Sequence, residues 1–437
     1  MKKIALPILF SLLVSITFGQ TIKKATSYLD KNDLAKAKTE IDGFLEKKPG
    51  DSEGNYIKSK IYLKIADSAA ISNLIQGDGR GQALEAFKIA VADSNNVKLK
   101  LQIMKDNYAP VFNMYAGYYQ EAADAFNEAA GAQSKEGFAK SMNLFKKANE
   151  VGAYISKNEW AAIGKVDTTL VLNIGKAALN AGLEDEAKRA FISLADAGIS
   201  GVSNSEDNDS YRIPYQWLTF HYKDADDEAN MVKYANLGKK YFPKDDYFDY
   251  VMMDFYRQKK NMPEVFAKHE SIIKIHPDSL NYHFNYANDI FGYLYNSDDD
   301  VVVQNKDQYL NTLKQELDKA YEINSNDINT NWLYSQYHYN KGIELRDEAL
   351  AIKGNKPEDV KKKADLKEAA KKSWNEAIPY GKKALKVLEE GKKTSDRSRY
   401  KSIANLMQNI YRSLEDRANT KVYEDAYDNA DSIFTKD

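Results

Sequence analysis

Cysteine is absent from the chain. That excludes disulfides, thiol chemistry and cysteine-ligated zinc, so any fold must hold by packing alone. It also leaves no N-terminal cysteine to acylate, so a bacterial lipoprotein is not expected. Proline and glycine are scarce, at 9 and 22 residues, which suits long helices. An excess of either charge is missing too. The 62 Lys and Arg against 64 Asp and Glu leave −2, and −4 once Lys2 and Lys3 are removed. A nucleic-acid binder needs a basic footprint, so nucleic acid is not an expected partner. No alternating strand pattern occurs. Val301–Val303 is the one β-branched run, and at this length it reads as a loop or a helix edge.

Long apolar runs are also missing, except at the start. Lys2 and Lys3 precede an uncharged stretch from Ile4 to Phe18, and Thr17 and Gly19 are small enough for cleavage-site pockets. This is the pattern of a secretory signal, with the cut expected after Gly19. A membrane span needs roughly 20 apolar residues. The stretch is shorter, contains Pro7 and ends at Gln20, Thr21 and Lys23. The mature chain is therefore expected to be soluble, without a transmembrane segment, and periplasmic or secreted.

What is present is a period. Pro243 and Pro277 close the phrases Lys239-Lys240-Tyr241-Phe242-Pro243 and Ile272-Ile273-Lys274-Ile275-His276-Pro277. Each reads as a helix end, a proline that cannot continue it and a polar restart. Glu46-Lys47-Lys48-Pro49-Gly50-Asp51 has the same form. Ala25, Tyr28, Ala37, Phe44 and Pro49 place small residues, aromatics and a terminal proline in one helix–turn–helix unit, with Asn32-Asp33 at the turn. On these residues the chain resembles the tetratricopeptide repeat family, whose unit is 34 residues long. The resemblance implies an all-α fold, a right-handed solenoid of antiparallel helix pairs, with partners held on the concave side.

Further units follow. Ala83, Phe87 and Ala90 mark one, Ser141, Phe145 and Ala148 a second, and Gly175, Ala187 and Phe191, with the turn 181–184, a third. Trp332, Tyr339, Ala377 and Ala384 mark a late unit, and Lys401–Phe434 reads as a terminal cap. The unit at 246–279 departs from the family, with Met253, Val265 and Ile272 where small residues are usual. Insertions are expected at Ala66–Gly81, Asn296–Lys306 and Gly354–Ser373. Gly354-Asn355 should stop one helix and Pro357-Glu358-Asp359 start the next. About eight or nine units cover nearly all of the mature chain. The expected segments are a signal at 1–19, N-terminal repeats at 20–151, central repeats at 152–347, and C-terminal helices with a lysine-rich insertion and cap at 348–437.

Catalytic and metal signatures are not evident, and no cofactor is expected. His221, His269, His276, His283 and His338 show no helical zinc-protease spacing. His276, before Pro277, suits a helix C-terminus, where a cation favours the dipole. Gln76–Gln82 is glycine-rich and precedes a helix, but lacks the lysine and hydroxyl of a phosphate loop, so a flexible insertion is the favoured reading. Asp298–Asp300 lacks EF-hand spacing and reads as a solvated loop. Residues 353–393 carry 13 Lys and 7 Asp and Glu, which is net +6. They suit an acidic partner or, more simply, a solvated helix with pairs such as Glu368–Lys372.

The family's contact positions, carried over by counting from the closing prolines, give candidate groove residues. They are Ile213, Gln216, Phe220 and Lys223, then Tyr247, Tyr250, Asp254 and Arg257, then Asn281, Phe284, Asn288 and Phe291. Setting Trp332 at the fourth position adds Thr330, Leu333, Tyr337 and Asn340. Aromatics mixed with amides and a few charges suit recognition of a protein or peptide. The same aromatics equally suit packing between repeats. The sequence thus reads as a non-catalytic scaffold. A second reading is a glycan-binding protein similar in architecture to outer-membrane starch-binding lipoproteins, though their anchoring cysteine and long loops are missing here.

Overall fold

A computed structural model describes residues 21–161, 167–201, 209–295 and 303–434. The signal reading at 1–19 and the acidic run Asp298–Asp300 lie outside them, as do Val301 and Val302. Among the described residues there is no strand. Contacts divide the chain into two compact units, one ending at Phe242 and one beginning at Pro243.

The first unit holds α1 (residues 21–30), α2 (Leu34–Lys47), α3 (Ser52–Ala66), α4 (Gly79–Ala92), α5 (Val97–Lys105), α6 (Ala109–Ala132), α7 (Lys135–Lys157), α8 (Thr168–Ala181), α9 (Glu184–Asp196), α10 (Arg212–Asp224) and α11 (Glu228–Tyr241). The second holds α12 (Tyr247–Gln258), α13 (Met262–Ile275), α14 (Leu280–Tyr295), α15 (Lys306–Ile323), α16 (Ile328–Ala351), α17 (Pro357–Gly391), α18 (Arg397–Ser413), α19 (Arg417–Asp428) and α20 (Ala430–Ile433). Each unit is an all-α solenoid of antiparallel helix pairs. Residues 151 and 347, the ends of two of the expected segments, fall inside α7 and α16.

The pairs form because their turns are short and chemically specified. Asn32, Gln133, Gly182, Asp226, Lys260 and Glu415 each take positive φ at the turn within a pair. That conformation lets the chain reverse at once. Aspartates then restart many helices. Asp33, Asp51, Asp78, Asp167, Asp227, Asp327 and Asp416 each accept a backbone N–H of the following turn. Each such cap satisfies a donor that the helix start leaves unpaired. Pro243 and Pro277 follow α11 and α13 by two residues, as the period predicts.

Where the helices cross, small residues make space for rings. Ala25, Ala37, Ala83, Ala148, Ala187, Ala377 and Ala384 are fully buried. A side chain on Gly175 of α8 would overlap the ring of Phe191 on α9. One on Gly54 of α3 would come within 2.8 Å of Phe44 on α2. In the departing unit, Met253, Val265 and Ile272 are buried all the same, so bulk fills the crossing of α12 and α13.

Buried rings that carry a hydroxyl need an acceptor. Tyr56 donates to Asp106 at 2.5 Å, Tyr62 to Asp42 at 2.8 Å, Tyr115 to Asp167 at 2.5 Å, Tyr118 to Asp78 at 2.6 Å and Tyr400 to Glu389 at 2.7 Å. Tyr334 donates to Asp318 in the same way. Burial first, then the neighbouring carboxylate, pushes each of these phenols above its ordinary value.

Several expectations are modified. Gln76–Gln82 is not a free loop. Gly77 has positive φ, Asp78 caps α4, and Gly79 and Gly81 lie in its first turn. Arg80 bonds Asp67 at 2.9 Å and also Glu121, and Gly117 leaves the space its guanidinium occupies. Residues 357–373, expected within an insertion, are continuous with α17, which begins at Pro357 as expected. In that lysine-rich helix Glu368 pairs with Lys371 at 3.5 Å, three residues on rather than four.

Two predictions follow from the packing. Gly175→Ala should destabilise the chain by about 1–3 kcal/mol through overpacking. Gly43→Ala, at a helical site with open space around it, should stabilise by about 0.5–1 kcal/mol. Urea unfolding followed by circular dichroism measures both, and equal effects would contradict the crossing assigned to Gly175. The second concerns alkali. The folded chain holds its phenolic protons more tightly than the unfolded chain, with Tyr423 pushed up to about 12 by burial. This contribution is therefore complete below about pH 10 and is lost as pH rises further. Phenolate absorbance should lag behind that of the urea-unfolded chain above pH 10, then catch up in the same step as loss of helicity.

Candidate binding surface

In the first unit four candidate residues lie on α10. Ile213 and Gln216 are half-buried and Phe220 is exposed. The Lys223 ammonium lies 5.3 Å from the centre of the Phe220 ring, in cation–π contact. Beside them, Trp217 stacks on His221 at 4.7 Å and meets Phe191 edge-on at 5.5 Å.

The second unit brings more of the candidates together. On α12, Tyr250, Asp254 and Arg257 are exposed and Tyr247 is half-buried. The opposite side of that helix buries Phe248, Met252 and Phe255. On α14, Asn281 and Asn288 are exposed, while Phe284 packs partly into the core around Tyr286 and Phe291. These two helices are the first members of consecutive pairs, and their side chains meet directly. The rings of Tyr250 and Tyr282 lie 6.4 Å apart. Arg257 Nη2 bonds Asp289 Oδ2 at 2.6 Å. Tyr282 donates to Asp246, just before α12, at 2.6 Å.

Behind this face stands a polar lattice that sequence reasoning missed. The Asp289 carboxylate that holds Arg257 also faces buried His269 Nε2 on α13 at 2.7 Å. His269 stacks on Tyr286 at 5.1 Å, and Tyr286 donates to Glu270 at 3.1 Å. Burial pushes Asp289 up, but hydrogen bonds from His269 and Arg257 outweigh it and leave the carboxyl below its usual range. His276 caps the end of α13, as its place before Pro277 suggests, and its Nε2 faces Asp246 at 3.1 Å. His283 is also committed, with Nδ1 2.5 Å from Glu316 and Nε2 2.8 Å from the Pro277 carbonyl. A signal for this lattice was available. Tyr282 and Asp289 stand one residue beyond Asn281 and Asn288, and at the same offset from Tyr250 and Arg257 respectively.

Counting fails on α16. Thr330, Leu333 and Tyr337 are buried, and Tyr337 belongs to the core with Phe266, Tyr286 and Leu317. Tyr337 is therefore a packing residue, not a surface one. Asn340 is half-buried. Phe291, also carried over by counting, is in the same core. The reason is that Leu333 and Tyr337 lie on the side of α16 that meets the preceding helices, where they share a core with Phe266 of α13, Phe291 of α14 and Leu317 of α15.

Among the described residues no group of three or more His, Asp and Glu is placed to hold a metal ion. No helix among them is long and apolar enough to cross a membrane. The α12–α14 face is an open surface of one phenol, one guanidinium, one carboxylate and two amides. Such a set can hydrogen-bond a backbone or polar side chains and cover apolar ones.

No family model and no curated protein matches the chain. Among solved structures, the chain is similar to that of the APC/C hetero-tetramer Cut9-Hcn1, at 11% identity and a TM-score of 0.23 over 96% of this chain and 91% of that one. It is also similar to yeast Tom70, at 12% identity and 0.22 over 92% and 87%. A human IFIT1 dimer with m7Gppp-AAAA gives 12% and 0.23 over 87% and 95%. Scores of this size leave the fold to be described from the chain's own helices, as above.

The Asp289 lattice predicts an acid-sensitive step. Its carboxyl sits lower in the folded chain than in the unfolded one, so its contribution is present above about pH 4 and is lost as pH falls through the folded value. Asp289→Asn should lower stability at neutral pH and flatten its decline on acidification. A variant that declines as steeply as the parent between pH 5 and pH 3, approximate limits set by carboxyl titration, would contradict the assignment.

Proposed function

We propose that the chain is an exported, non-catalytic scaffold that binds a protein or peptide partner across the α12–α14 face. The observation that supports this most directly is the meeting of α12 and α14. Consecutive first helices expose Tyr250, Asp254, Arg257, Asn281 and Asn288 on one face, while the lattice of Asp289 and His269 fixes Arg257 from behind. A guanidinium held in place loses less freedom on binding, and Tyr and Arg are residue types that concentrate binding energy. Phe220 and Lys223 of α10 form a smaller patch of similar composition in the first unit. Export rests on the apolar segment Ile4–Phe18 behind Lys2 and Lys3 and implies a periplasmic or secreted location.

Affinity capture of the chain from Gln20 onward, from envelope extract, tests the reading beside a Tyr250→Ala/Arg257→Ala/Asn288→Ala variant. A specific partner should be retained by the first and bind the second at least about tenfold more weakly, with helicity unchanged. Equal capture by both forms removes the α12–α14 face from the function. Capture of no protein, together with stabilisation by a polysaccharide, replaces this reading with glycan binding.

A further inference from the structure

Helix α5 stands outside the pairing that organises the first unit. It lies between α4, which completes a pair with α3, and α6, which opens the pair with α7. Its sequence, Val97-Lys98-Leu99-Lys100-Leu101-Gln102-Ile103-Met104-Lys105, contains no acidic residue. Leu99 and Ile103, four residues apart, are buried and attach the helix to the unit. Val97, Leu101 and Met104, spaced by four and three, form a second apolar stripe that points the other way. They are 63%, 53% and 48% exposed. Exposed apolar side chains in isolation are ordinary, but an aligned stripe on one helix is not.

The lysines flank that stripe on both sides. Lys98 and Lys105 fall on one edge, seven residues apart, and Lys100 on the other. All three are exposed, and none forms an ion pair among the described residues. The acids at either end of the helix are already committed. Asp93 accepts from the Ser52 hydroxyl at 2.7 Å, and Asp106 from Tyr56 and Lys60 at 2.5 and 3.2 Å. Exposed Lys64 lines a depression with Lys60 and Asp106 and adds positive charge beside the C-terminal end of the helix.

From this arrangement we propose that α5 seats the first unit on an anionic phospholipid surface. The apolar stripe enters the boundary between headgroups and acyl chains, and the lysines reach sideways to the lipid phosphates with their stems along the apolar layer. Charge complementarity selects the occupant, because each lysine near an anionic bilayer adds to the attraction. Area supports the same choice. A stable protein interface takes about 20–30 residues a side, which a nine-residue helix cannot supply, whereas a bilayer requires no matching shape. Attachment of this size is reversible, as expected for a single short interfacial helix.

Vesicle co-sedimentation tests this, using the chain from Gln20 so that residues 4–18 cannot contribute. Vesicles of phosphatidylcholine with phosphatidylglycerol are compared with pure phosphatidylcholine. Binding should favour the anionic vesicles by at least about tenfold and weaken in high salt. Leu101→Ser/Met104→Ser should reduce it by about tenfold. Lys98→Glu/Lys100→Glu/Lys105→Glu should abolish the preference for anionic lipid. These side chains are exposed, so helicity and thermal midpoint should stay as in the parent, which separates loss of binding from loss of fold. Absence of binding to anionic vesicles overturns the proposal, as does binding that both variants retain. Concentration-dependent self-association lost in the serine variant overturns it too, and assigns the stripe to a second copy of the chain.

Discussion

The structure depends on rings that fill gaps left by small residues where helices cross. Neither half of this contact is stable alone. A crossing lined only by alanine and glycine would be a void, and a void costs the dispersion contacts of its whole lining. A ring without the gap would hold the helices apart. Phe191 against Gly175, Phe44 against Gly54, and Trp374 against Gly342 show the same solution on different pairs. The indole of Trp374 also donates to the Tyr339 carbonyl at 3.2 Å, so a polar ring enters the core without leaving its N–H unsatisfied. Because a single pair cannot bury both of its faces, each contact must be repeated on the next pair, and stability accumulates along the array.

Tyrosine is the commonest aromatic here for a related reason. A phenol reaching beyond its own crossing can bond a carboxylate on a neighbouring element, and these carboxylates often have a second duty. Asp78 caps α4 while accepting from Tyr118 and Lys147. Asp167 caps α8 while accepting from Tyr115 of α6. One acid thereby joins the start of a helix to a neighbouring pair. This economy concentrates risk, since removing such an aspartate exposes both a helix donor and a buried hydroxyl. Three of the five histidines follow the same rule. His269, His276 and His283 occupy the same structural role as the tyrosines, facing Asp289, Asp246 and Glu316.

The regular part of this design was legible in the sequence because its signals are local. Prolines after α11 and α13, the turn at Gly182, and alanines at crossings each act within a few residues. Legibility ended where the outcome depended on what lies across the gap. Tyr250 and Tyr337 look alike in sequence, yet one is exposed and the other is core, because Tyr337 faces Phe266, Tyr286 and Leu317 of the preceding helices. The glycines of Gln76–Gln82 suggested freedom, but Arg80 ties that segment to Asp67 and Glu121, far apart in sequence. Helix α5 was invisible for another reason. Val97–Ile103 alternates apolar and polar residues over seven positions, a strand pattern that the sequence reading passed over and that the chain folds as a helix all the same, and only its position after a completed pair shows that it is additional.

The same distinction bears on where function resides in a repeat array. A residue whose partners are all within its own pair contributes to that pair and can be replaced by any group of similar shape. A residue bonded across consecutive pairs constrains a surface. Arg257 is of the second kind, because its guanidinium is fixed by a residue of the next pair, which is fixed in turn by His269. Its position is thus set by three helices at once and does not depend on the mobility of one. Exposed groups held in this way retain their geometry while the surface around them varies, which is the property a recognition face requires. The Val97, Leu101 and Met104 stripe meets a different requirement. A fluid surface demands only apolar area and charge, so a short helix anchored by two buried side chains is sufficient for it.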